Sequence, residues 1–221
     1  MKLLLSALTK LIVGLGLIVA LLFVPAGTFD FVGAWRLLGV LFVPMLLLGV
    51  ALFIWAPELL RSRLKSKEER GTQRGVVALS GVLFVLCFVV AGLDYRFGWS
   101  ALPEWTIWLG CILFLVSYGL YGEVMRENHW LSRSVEVVEG QKVVSTGLYG
   151  IVRHPMYSVT IVMFLSMPIV LGSLWAFVVM LPYVLIVALR ARDEERLLVA
   201  ELDGYKEYCA KVRWRLLPYV W

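Results

Sequence analysis

Residues 156–189 read MYSVTIVMFLSMPIVLGSLWAFVVMLPYVLIVAL, an apolar run of 34 residues without a charged side chain. As one straight helix this run would measure about 51 Å, whereas the hydrocarbon core of a bilayer is only about 30 Å thick. A Gly-Ser pair lies near its middle, in LGSL at 171–174. The run therefore predicts a hairpin of two short membrane helices, at about residues 157–171 and 174–190, each of which contains a proline.

Four more apolar runs of membrane-spanning length precede this hairpin. The chain of 221 residues is 61% hydrophobic and only 17% charged, with a mean hydropathy of +0.84, which excludes a soluble domain. The first run has a basic start like that of a secretory signal, but Lys10 interrupts it, and we expect it to be retained as a membrane helix. The sequence predicts an all-α, polytopic membrane bundle of about six spans. The four additional spans are residues 3–24, 35–55, 76–93 and 105–121.

Lysine and arginine are concentrated in the loops on one predicted side of the membrane. Six lie in residues 56–74, four in 122–155 and seven in 190–221, whereas the opposite loops carry only Arg36 and Arg96. An excess of positive charge marks the cytoplasmic side, so we predict that both termini are cytoplasmic. The net charge of +5 and the pI of about 9.2 fit anionic lipid headgroups as partners and not nucleic acid, because no basic stretch interleaved with aromatic residues lies outside the membrane segments.

The cysteines and histidines are too few and too scattered to predict a metal site. Cys87, Cys111 and Cys209 lie far apart, and the first two are inside apolar runs. This spacing fits neither a disulfide framework nor a zinc motif, and the chain has only two histidines. We therefore expect buried, unpaired thiols and no metal.

Most of the remaining polar side chains lie in two segments. One is the connector, Glu123–Tyr157, and the other is the tail, residues 190–221. Because the hairpin returns the chain to its starting side, we expect the two segments to be neighbours and to roof the membrane bundle. The chain accordingly divides into an N-terminal part with three spans, residues 1–104, and a core with the connector, hairpin and tail, residues 105–221.

Charged residues follow the hairpin at helical spacing. Arg190 and Glu194 stand four residues apart and share one face of a helix, while Glu195 lies about 100° further round. A solvated ion pair at the membrane surface would use the same spacing, so the pattern alone leaves both interpretations open. Arg153 of the connector likewise has two candidate partners, a lipid phosphate and a neighbouring carboxylate.

The connector ends at a proline that predicts the start of the next helix. Pro155 disfavours helical geometry at His154, so the helix is expected to begin at Pro155 or Met156, with His154 beside its first turn. A capping histidine is the structural alternative for His154. Tyr149 and Tyr157 have an alternative as well, because aromatic side chains line the interfaces of many membrane proteins.

Taken together, three stretches resemble the isoprenylcysteine carboxyl methyltransferase family. They are GLYGIVRHPMY at 147–157, RARDEERLL at 190–198 and LDGYKEYCAKVRWRLLP at 202–218. The family belongs to a broader group of small membrane methyltransferases that also resembles the phospholipid N-methyltransferases. The resemblance covers about residues 110–221, and it implies S-adenosylmethionine as the methyl donor, bound in a cytoplasmic pocket closed by the connector and the tail.

The resemblance also implies roles for individual residues. Arg190 matches the arginine that holds the acceptor substrate in the family. To this match we add our own expectations that Arg190 and Glu195 act at the reacting centre and that Asn128 binds the substrate. The residues expected to bind the cofactor are Gln141, Lys142, Val143, Val144, Tyr149, His154, Pro155, Met156, Tyr157 and Glu194.

The chemistry of these side chains agrees with the implied roles. A carboxylate and aromatic faces favour a sulfonium cation, and an arginine fork suits a carboxylate or phosphate of the acceptor. Transfer to a lipid-like or prenylated carboxylate requires alignment and exclusion of water but no strong base. Transfer to an amine would require a base, for which His154 and Glu195 are the candidates.

Two other functions are consistent with parts of the sequence. Membrane sterol-type reductases share a similar C-terminal topology and a stretch like RHPMY, and they would place NADPH in the same pocket; the paired glutamates argue against such a phosphate-rich cofactor, because carboxylates repel phosphate. A non-catalytic scaffold or solute carrier is the third hypothesis. A carrier is disfavoured because, apart from Lys10, the clearest spans nearly lack ionisable residues.

Overall fold

The structure is a computed structural model that describes residues 2–64, 71–131 and 137–221. Within these ranges the chain forms helices and no strand, as the sequence predicts. The described ranges contain nine α-helices, and a short 3₁₀ helix, Gly147–Gly150, precedes the sixth. The α-helices are α1 (Lys2–Ala26), α2 (Val32–Trp55), α3 (Pro57–Leu64), α4 (Gly71–Phe97), α5 (Glu104–Glu127), α6 (Pro155–Val170), α7 (Leu174–Met180), α8 (Pro182–Glu201) and α9 (Tyr205–Lys211).

Five helical stretches in the described part of the chain are long and apolar enough to cross a membrane. They confirm the prediction of a polytopic helical bundle, because each has a high hydropathy over more than 20 residues. The sixth predicted span corresponds to α6, whose 16 residues form a shorter apolar helix. The five longer stretches are Leu5–Ala26, Val32–Trp55, Gly75–Phe97, Glu104–Glu127 and Leu174–Glu201.

The predicted hairpin turn lies where LGSL places it. Gly172 adopts a φ of +76°, a left-handed conformation that glycine tolerates, and the Oγ of Ser173 accepts a hydrogen bond of 3.0 Å from the N–H of Ala176 at the start of α7. The second arm is longer than predicted, because α7 and α8 run over 28 residues to Glu201. The charged residues after Arg190 are good helix formers, so the helix continues beyond the apolar run.

A close contact joins the first arm of the hairpin to α5. Gly110 of α5 faces α6, and a Cβ placed on it would lie 3.0 Å from Cγ2 of Ile169. Without that Cβ, the two helices approach closely, which is how small residues act in membrane bundles. The contact places the start of α6 beside the end of α5, where the connector begins.

A buried polar cluster fixes the hairpin at the opposite end of the bundle. Asp94 of α4 is only 2% exposed, and its carboxylate accepts hydrogen bonds from the main-chain N–H of Ser100 (2.7 Å) and from the hydroxyls of Ser100 (2.5 Å) and Ser173. Because Ser173 lies in the hairpin turn, this cluster anchors the turn to α4. The first arm therefore starts, and the second arm finishes, at the end of the bundle that carries the connector and the tail.

Candidate functional site

A cleft opens where the connector and the tail meet, at the end of the bundle formed by the start of α6 and the second half of α8. Its atom-free space, including the open mouth, is about 800 Å³. Most residues singled out from the sequence line this cleft. They are Asn128, Gln141, Lys142, Val143, Val144, Tyr149, His154, Met156, Tyr157, Arg190 and Glu194.

The connector and the tail hold the cleft together through a small apolar cluster. Leu202, Tyr205 and Tyr208 of the tail are buried, and Val143 of the connector packs against them. The hydroxyl of Tyr208 also donates a 2.7 Å hydrogen bond to the main-chain carbonyl of Tyr149. The predicted proximity of connector and tail is therefore present in the fold.

Tyr157 links the two arms of the hairpin inside the cleft. Its hydroxyl donates a 2.5 Å hydrogen bond to Oε2 of Glu194 and accepts a 3.0 Å hydrogen bond from Nε of Arg190. One hydroxyl thus bridges an acidic and a basic side chain on the same face of α8, as their spacing of four residues predicts. Hydrogen bonds to charged groups are among the stronger ones, so this arrangement fixes the carboxylate in the cleft wall.

His154 is held by the tail through its main chain. Its N–H donates to the carbonyl of Arg215 at 2.9 Å, and the preceding N–H, of Arg153, donates to the carbonyl of Trp214 at 2.8 Å. The residue occupies the N-cap position of α6 but makes no side-chain capping bond. The ring instead stacks against Tyr157, with centroids 5.7 Å apart and an interplanar angle of 28°.

The imidazole of His154 is buried and neutral. Burial lowers its pKa below the usual value, and the carboxylates of Glu194 and Glu195 oppose that shift only in part. Its Nε2 has no hydrogen-bond partner within the described part of the chain, although the side chain is among the cleft's lining residues. A buried polar atom without a partner costs free energy, so this nitrogen is suited to a polar ligand atom.

The 3₁₀ helix supplies Tyr149 to the cleft lining, and the end of α5 supplies Asn128. Nδ2 of Asn128 donates to the hydroxyl of Tyr149 at 3.0 Å, and the carboxylate of Glu127 accepts from the N–H of Leu148 at 3.1 Å. Glu127 lies so close to Gly147 (φ +49°) that a Cβ on this glycine would be 1.8 Å from the carboxylate. A side chain at position 147 would therefore displace the Glu127 carboxylate, in addition to the strain of the positive φ.

Two residues assigned to the site by resemblance do not line the cleft. Glu195, expected to act at the reacting centre, is 7% exposed and faces the other side of α8, where its carboxylate pairs with Arg153 at 2.6 Å and Arg215 at 2.5 Å. Its offset of about 100° from Glu194 on one continuous helix explains this placement. Pro155 is fully buried at the first position of α6, where its ring and missing N–H suit the helix start.

The position of Arg153 resolves one of the alternatives left by the sequence. Its guanidinium pairs with a carboxylate, that of Glu195, and its side chain is only 10% exposed. Arg153 therefore joins the start of α6 to α8, and it also contributes to the lining of the cleft.

Several cleft residues were not identified from the sequence. Tyr205 is the most informative, because its hydroxyl is buried, has no hydrogen-bond partner in the described residues, and belongs to a ring that lines the cleft. Burial raises the pKa of Tyr205, so the hydroxyl stays protonated near neutral pH. Its spacing of three residues from Tyr208 on α9 was the available signal. The other residues that line the cleft and were not identified as site residues from the sequence are Trp130, Leu131, Leu197, Leu198, Leu202 and Tyr208.

Most of the residues that line this cleft lie in a range that matches a known family, although Tyr205 and Tyr208 lie beyond it. Residues 105–203 match the family model for phospholipid methyltransferases. The matched range begins with α5 and ends just after α8, so it contains the connector, both arms of the hairpin, and every charged pair at the cleft. The match suggests a membrane methyltransferase, in agreement with the broader group named from the sequence motifs, and it does not single out the isoprenylcysteine branch.

Two curated relatives are similar to the chain over shorter parts of their own length. A Delta(14)-sterol reductase from Mus musculus is 33% identical over 91 residues, which are 40% of this chain and 22% of the relative. A Delta(14)-sterol reductase from Arabidopsis thaliana is 28% identical over 127 residues, 52% of this chain and 34% of the relative. The chain thus spans about a fifth to a third of the length of these relatives.

Proposed function

We propose that this protein is an integral membrane methyltransferase that uses S-adenosylmethionine to methylate a lipid-like acceptor. The observation that carries the proposal is the position of Glu194, a carboxylate fixed beside the ring of Tyr157 in a cleft at the end of the bundle. A carboxylate next to an aromatic face favours a sulfonium cation. The family match over residues 105–203 supports the same reaction class.

The cleft fits such a cofactor in its donors as well as its charge. Besides Glu194, its lining residues carry three buried polar atoms without partners in the described chain, Nε of Arg153, Nε2 of His154 and the hydroxyl of Tyr205. Residues 141–144 of the connector, together with Tyr149 and Met156, also line the cleft and would contact the cofactor. S-adenosylmethionine supplies a methyl group on positively charged sulfur, which is already activated for displacement.

For the acceptor, we propose a carboxylate on a lipophilic or prenylated molecule. Arg190 lies in the cleft wall, and a guanidinium fork suits an anionic oxygen. A carboxylate needs no base, so the protein contributes alignment and exclusion of water. Because Glu195 is paired with two arginines away from the cleft, we assign it the positioning of Arg153 and Arg215 instead of a proton transfer.

N-methylation of a phospholipid amine is the second form of this proposal. The amine would have to lose a proton during transfer, and the neutral imidazole of His154 is the cleft residue suited to accept it. The description of the matching family, phospholipid methyltransferase, favours testing this acceptor directly.

The alternative function from a different enzyme class is that of a nicotinamide-dependent membrane reductase. The similarity of the chain to two sterol reductases is the observation that favours this alternative. In the sequence, the paired glutamates Glu194 and Glu195 disfavour the phosphate groups of NADPH. Since Glu195 faces away from the cleft, Glu194 is the one carboxylate among the described lining residues that repels a phosphate there, and Lys142 and Arg190 also line the wall. Charge alone therefore separates the two cofactors less sharply than the sequence suggests, and cofactor binding decides between them.

We further propose that the cleft faces the cytoplasm, where S-adenosylmethionine is available. The basic loops 56–74 and 190–221 lie at the cleft end of the helices if the spans alternate, and such loops are retained on the cytoplasmic side. Accessibility of a cysteine introduced at exposed Lys206 to an impermeant thiol reagent in sealed vesicles tests this orientation.

The reaction itself is tested with the purified full-length protein in nanodiscs containing a total lipid extract. We expect transfer of labelled methyl from S-adenosylmethionine into the lipid fraction, and release of the label as methanol by mild alkali if the product is a methyl ester. A label that resists alkali and migrates with a phospholipid would indicate N-methylation. Lipid-dependent oxidation of NADPH without methyl transfer would instead support the reductase.

A further inference from the structure

A second cavity lies on the opposite side of α8 from the cleft. This basic groove has about 940 Å³ of atom-free space, including its open mouth. Four arginines from three parts of the chain contribute to its wall together with one carboxylate. The groove is lined by Arg153, Arg192, Glu195, Arg196, Val199 and Arg215, with Cys209 beside them.

The charges of the basic groove do not cancel. Glu195 is the carboxylate of the wall, and Arg153 and Arg215 both bind it, at 2.6 Å and 2.5 Å. Arg192 and Arg196, four residues apart on α8, are exposed at the mouth. The lining of the groove thus carries four guanidinium groups and one carboxylate, and the two arginines that do not bind Glu195 are the exposed ones.

The exposed face of α8 shows where the basic groove lies relative to a membrane. Leu185 and Leu189 are 69% and 59% exposed, and Arg192 and Arg196 continue the same helical face. The face changes from apolar to basic within one helical turn, which is the change expected between the hydrocarbon region and the headgroups. The mouth of the groove is therefore at the level of lipid phosphates.

The ring of Trp221 lies beside two arginines of the basic groove. The guanidinium carbons of Arg192 and Arg215 lie 5.1 Å and 5.2 Å from the centroid of the Trp221 ring. A ring between two guanidinium groups holds them in place through cation–π contacts, and Trp is enriched at membrane interfaces. Arg192 is thus restrained near the groove before any ligand binds.

We propose that the basic groove binds the phosphate of an anionic lipid headgroup. Guanidinium groups recognise phosphate through paired N–H donors, and basic pockets at the cytoplasmic ends of membrane helices attract anionic lipids. The adjoining apolar surface of Leu185 and Leu189 would contact the acyl chains. A small soluble anion would gain nothing from that surface, which is why a lipid is the occupant favoured here.

The groove also adjoins the cleft through shared residues. Arg153 lines both cavities, and Arg215, whose side chain binds Glu195, accepts the main-chain N–H of His154 at 2.9 Å. A phosphate near Arg215 would compete with Glu195 for its guanidinium. The lipid site is nevertheless independent of the proposed methyl transfer, because it rests only on the charges and position of the groove.

The test is binding of dioctanoyl phosphatidylglycerol to the full-length protein in neutral detergent, followed by native mass spectrometry. The variant Arg192→Gln/Arg196→Gln removes the two exposed groove cations. The matched control, Lys206→Gln/Lys211→Gln, removes two exposed tail cations that do not line the groove. We expect the groove variant to bind the lipid roughly tenfold or more weakly and the control to bind as the parent does.

Three results would overturn the proposal. Equal losses in both variants would indicate attraction to the overall positive charge, and unchanged binding in the groove variant would indicate a different site. Displacement of the lipid by inorganic phosphate at equal concentration would assign the groove to a small anion. Circular dichroism of each variant shows whether a loss of binding arises from unfolding, and the single variants Arg192→Gln and Arg196→Gln then give the graded losses expected of the proposal.

Discussion

The hydroxyl of Tyr157 donates a 2.5 Å hydrogen bond to the carboxylate of Glu194 and so connects the start of α6 to the second half of α8. The same hydroxyl accepts from Arg190 at 3.0 Å. Replacing Tyr157 with Phe keeps the ring and removes both bonds, so the carboxylate and the guanidinium lose their shared partner. We expect roughly tenfold weaker binding of S-adenosylhomocysteine by calorimetry, since a hydrogen bond to a charged group contributes about 1.5–3 kcal/mol.

Tyr205 provides a contrasting tyrosine in the same cleft. Its buried hydroxyl has no partner within the described residues, so Tyr205→Phe removes an unsatisfied group. We expect the thermal midpoint of the ligand-free protein to stay the same or to rise, because deleting an unpartnered buried hydroxyl costs nothing in folding. If the cofactor occupies the cleft, its affinity falls in this variant. A lower midpoint together with unchanged affinity would contradict the assigned role.

His154 makes the stability of the protein dependent on pH. Its pKa is lowered by burial, so below its ordinary value of about 6.5 the unfolded chain takes up a proton that the folded chain resists. Stability contributed by neutral His154 is therefore fully present above about pH 6.5 and is lost as the pH falls. We expect the thermal midpoint to decrease between pH 7.5 and 5.0, and to decrease less in His154→Gln.

The other histidine is the control for this measurement. His129 is exposed, so His129→Gln should retain the pH dependence of the parent protein. A pH dependence that disappears in His129→Gln and persists in His154→Gln would show that the buried imidazole is not its source.

Asp94 is expected to matter for stability and not for the cleft. Asp94→Ala leaves the hydroxyls of Ser100 and Ser173 without their buried acceptor at the end of the bundle remote from the cleft. We expect a loss of about 2 kcal/mol or more in unfolding free energy, with unchanged cofactor affinity below the unfolding temperature. Asp30→Asn, an exposed change at the same end, serves as the control and should have little effect.

Gly147 is required for its lack of a side chain as well as for its backbone conformation. Gly147→Ala would place a methyl group 1.8 Å from the Glu127 carboxylate at a φ of +49°. Gly140→Ala imposes the same kind of backbone strain, at a φ of +78°, but meets no atom within 4 Å. We expect about 1 kcal/mol of destabilisation at Gly140 and clearly more at Gly147, measured by thermal unfolding. Equal effects would mean that the carboxylate moves away freely.

The hairpin and the helix starts were predictable because their signals are local. Gly172 and Ser173 encode the turn, and Pro155 encodes the start of α6, within a few residues of the feature itself. The end of the second arm was not predictable, because the length of an apolar run indicates the thickness of the membrane that it crosses and not the full length of the helix. The prediction ended this arm at Arg190, whereas α8 continues to Glu201.

The side of α8 that faces the cleft depends on contacts distant in sequence. Arg190 and Glu194 were grouped correctly by their spacing, but the same reasoning included Glu195, which binds Arg215 of the tail. No periodic pattern predicts that the tail returns to the start of α6 and supplies Arg215. The proximity of tail and connector was predicted, but not which tail side chains enter the cleft, and Tyr205 was missed for that reason.

The central claim is that Glu194 forms part of a site for a sulfonium cofactor, and isothermal titration calorimetry on the full-length protein in nanodiscs tests it most directly. The protein is titrated with S-adenosylmethionine, S-adenosylhomocysteine and NADPH, and Glu194→Gln is compared with Glu201→Gln, a change on the exposed end of the same helix. We expect micromolar binding of S-adenosylmethionine that is weakened at least tenfold by Glu194→Gln and unaffected by Glu201→Gln. Binding of NADPH alone, or of S-adenosylmethionine with equal affinity in both variants, would contradict it.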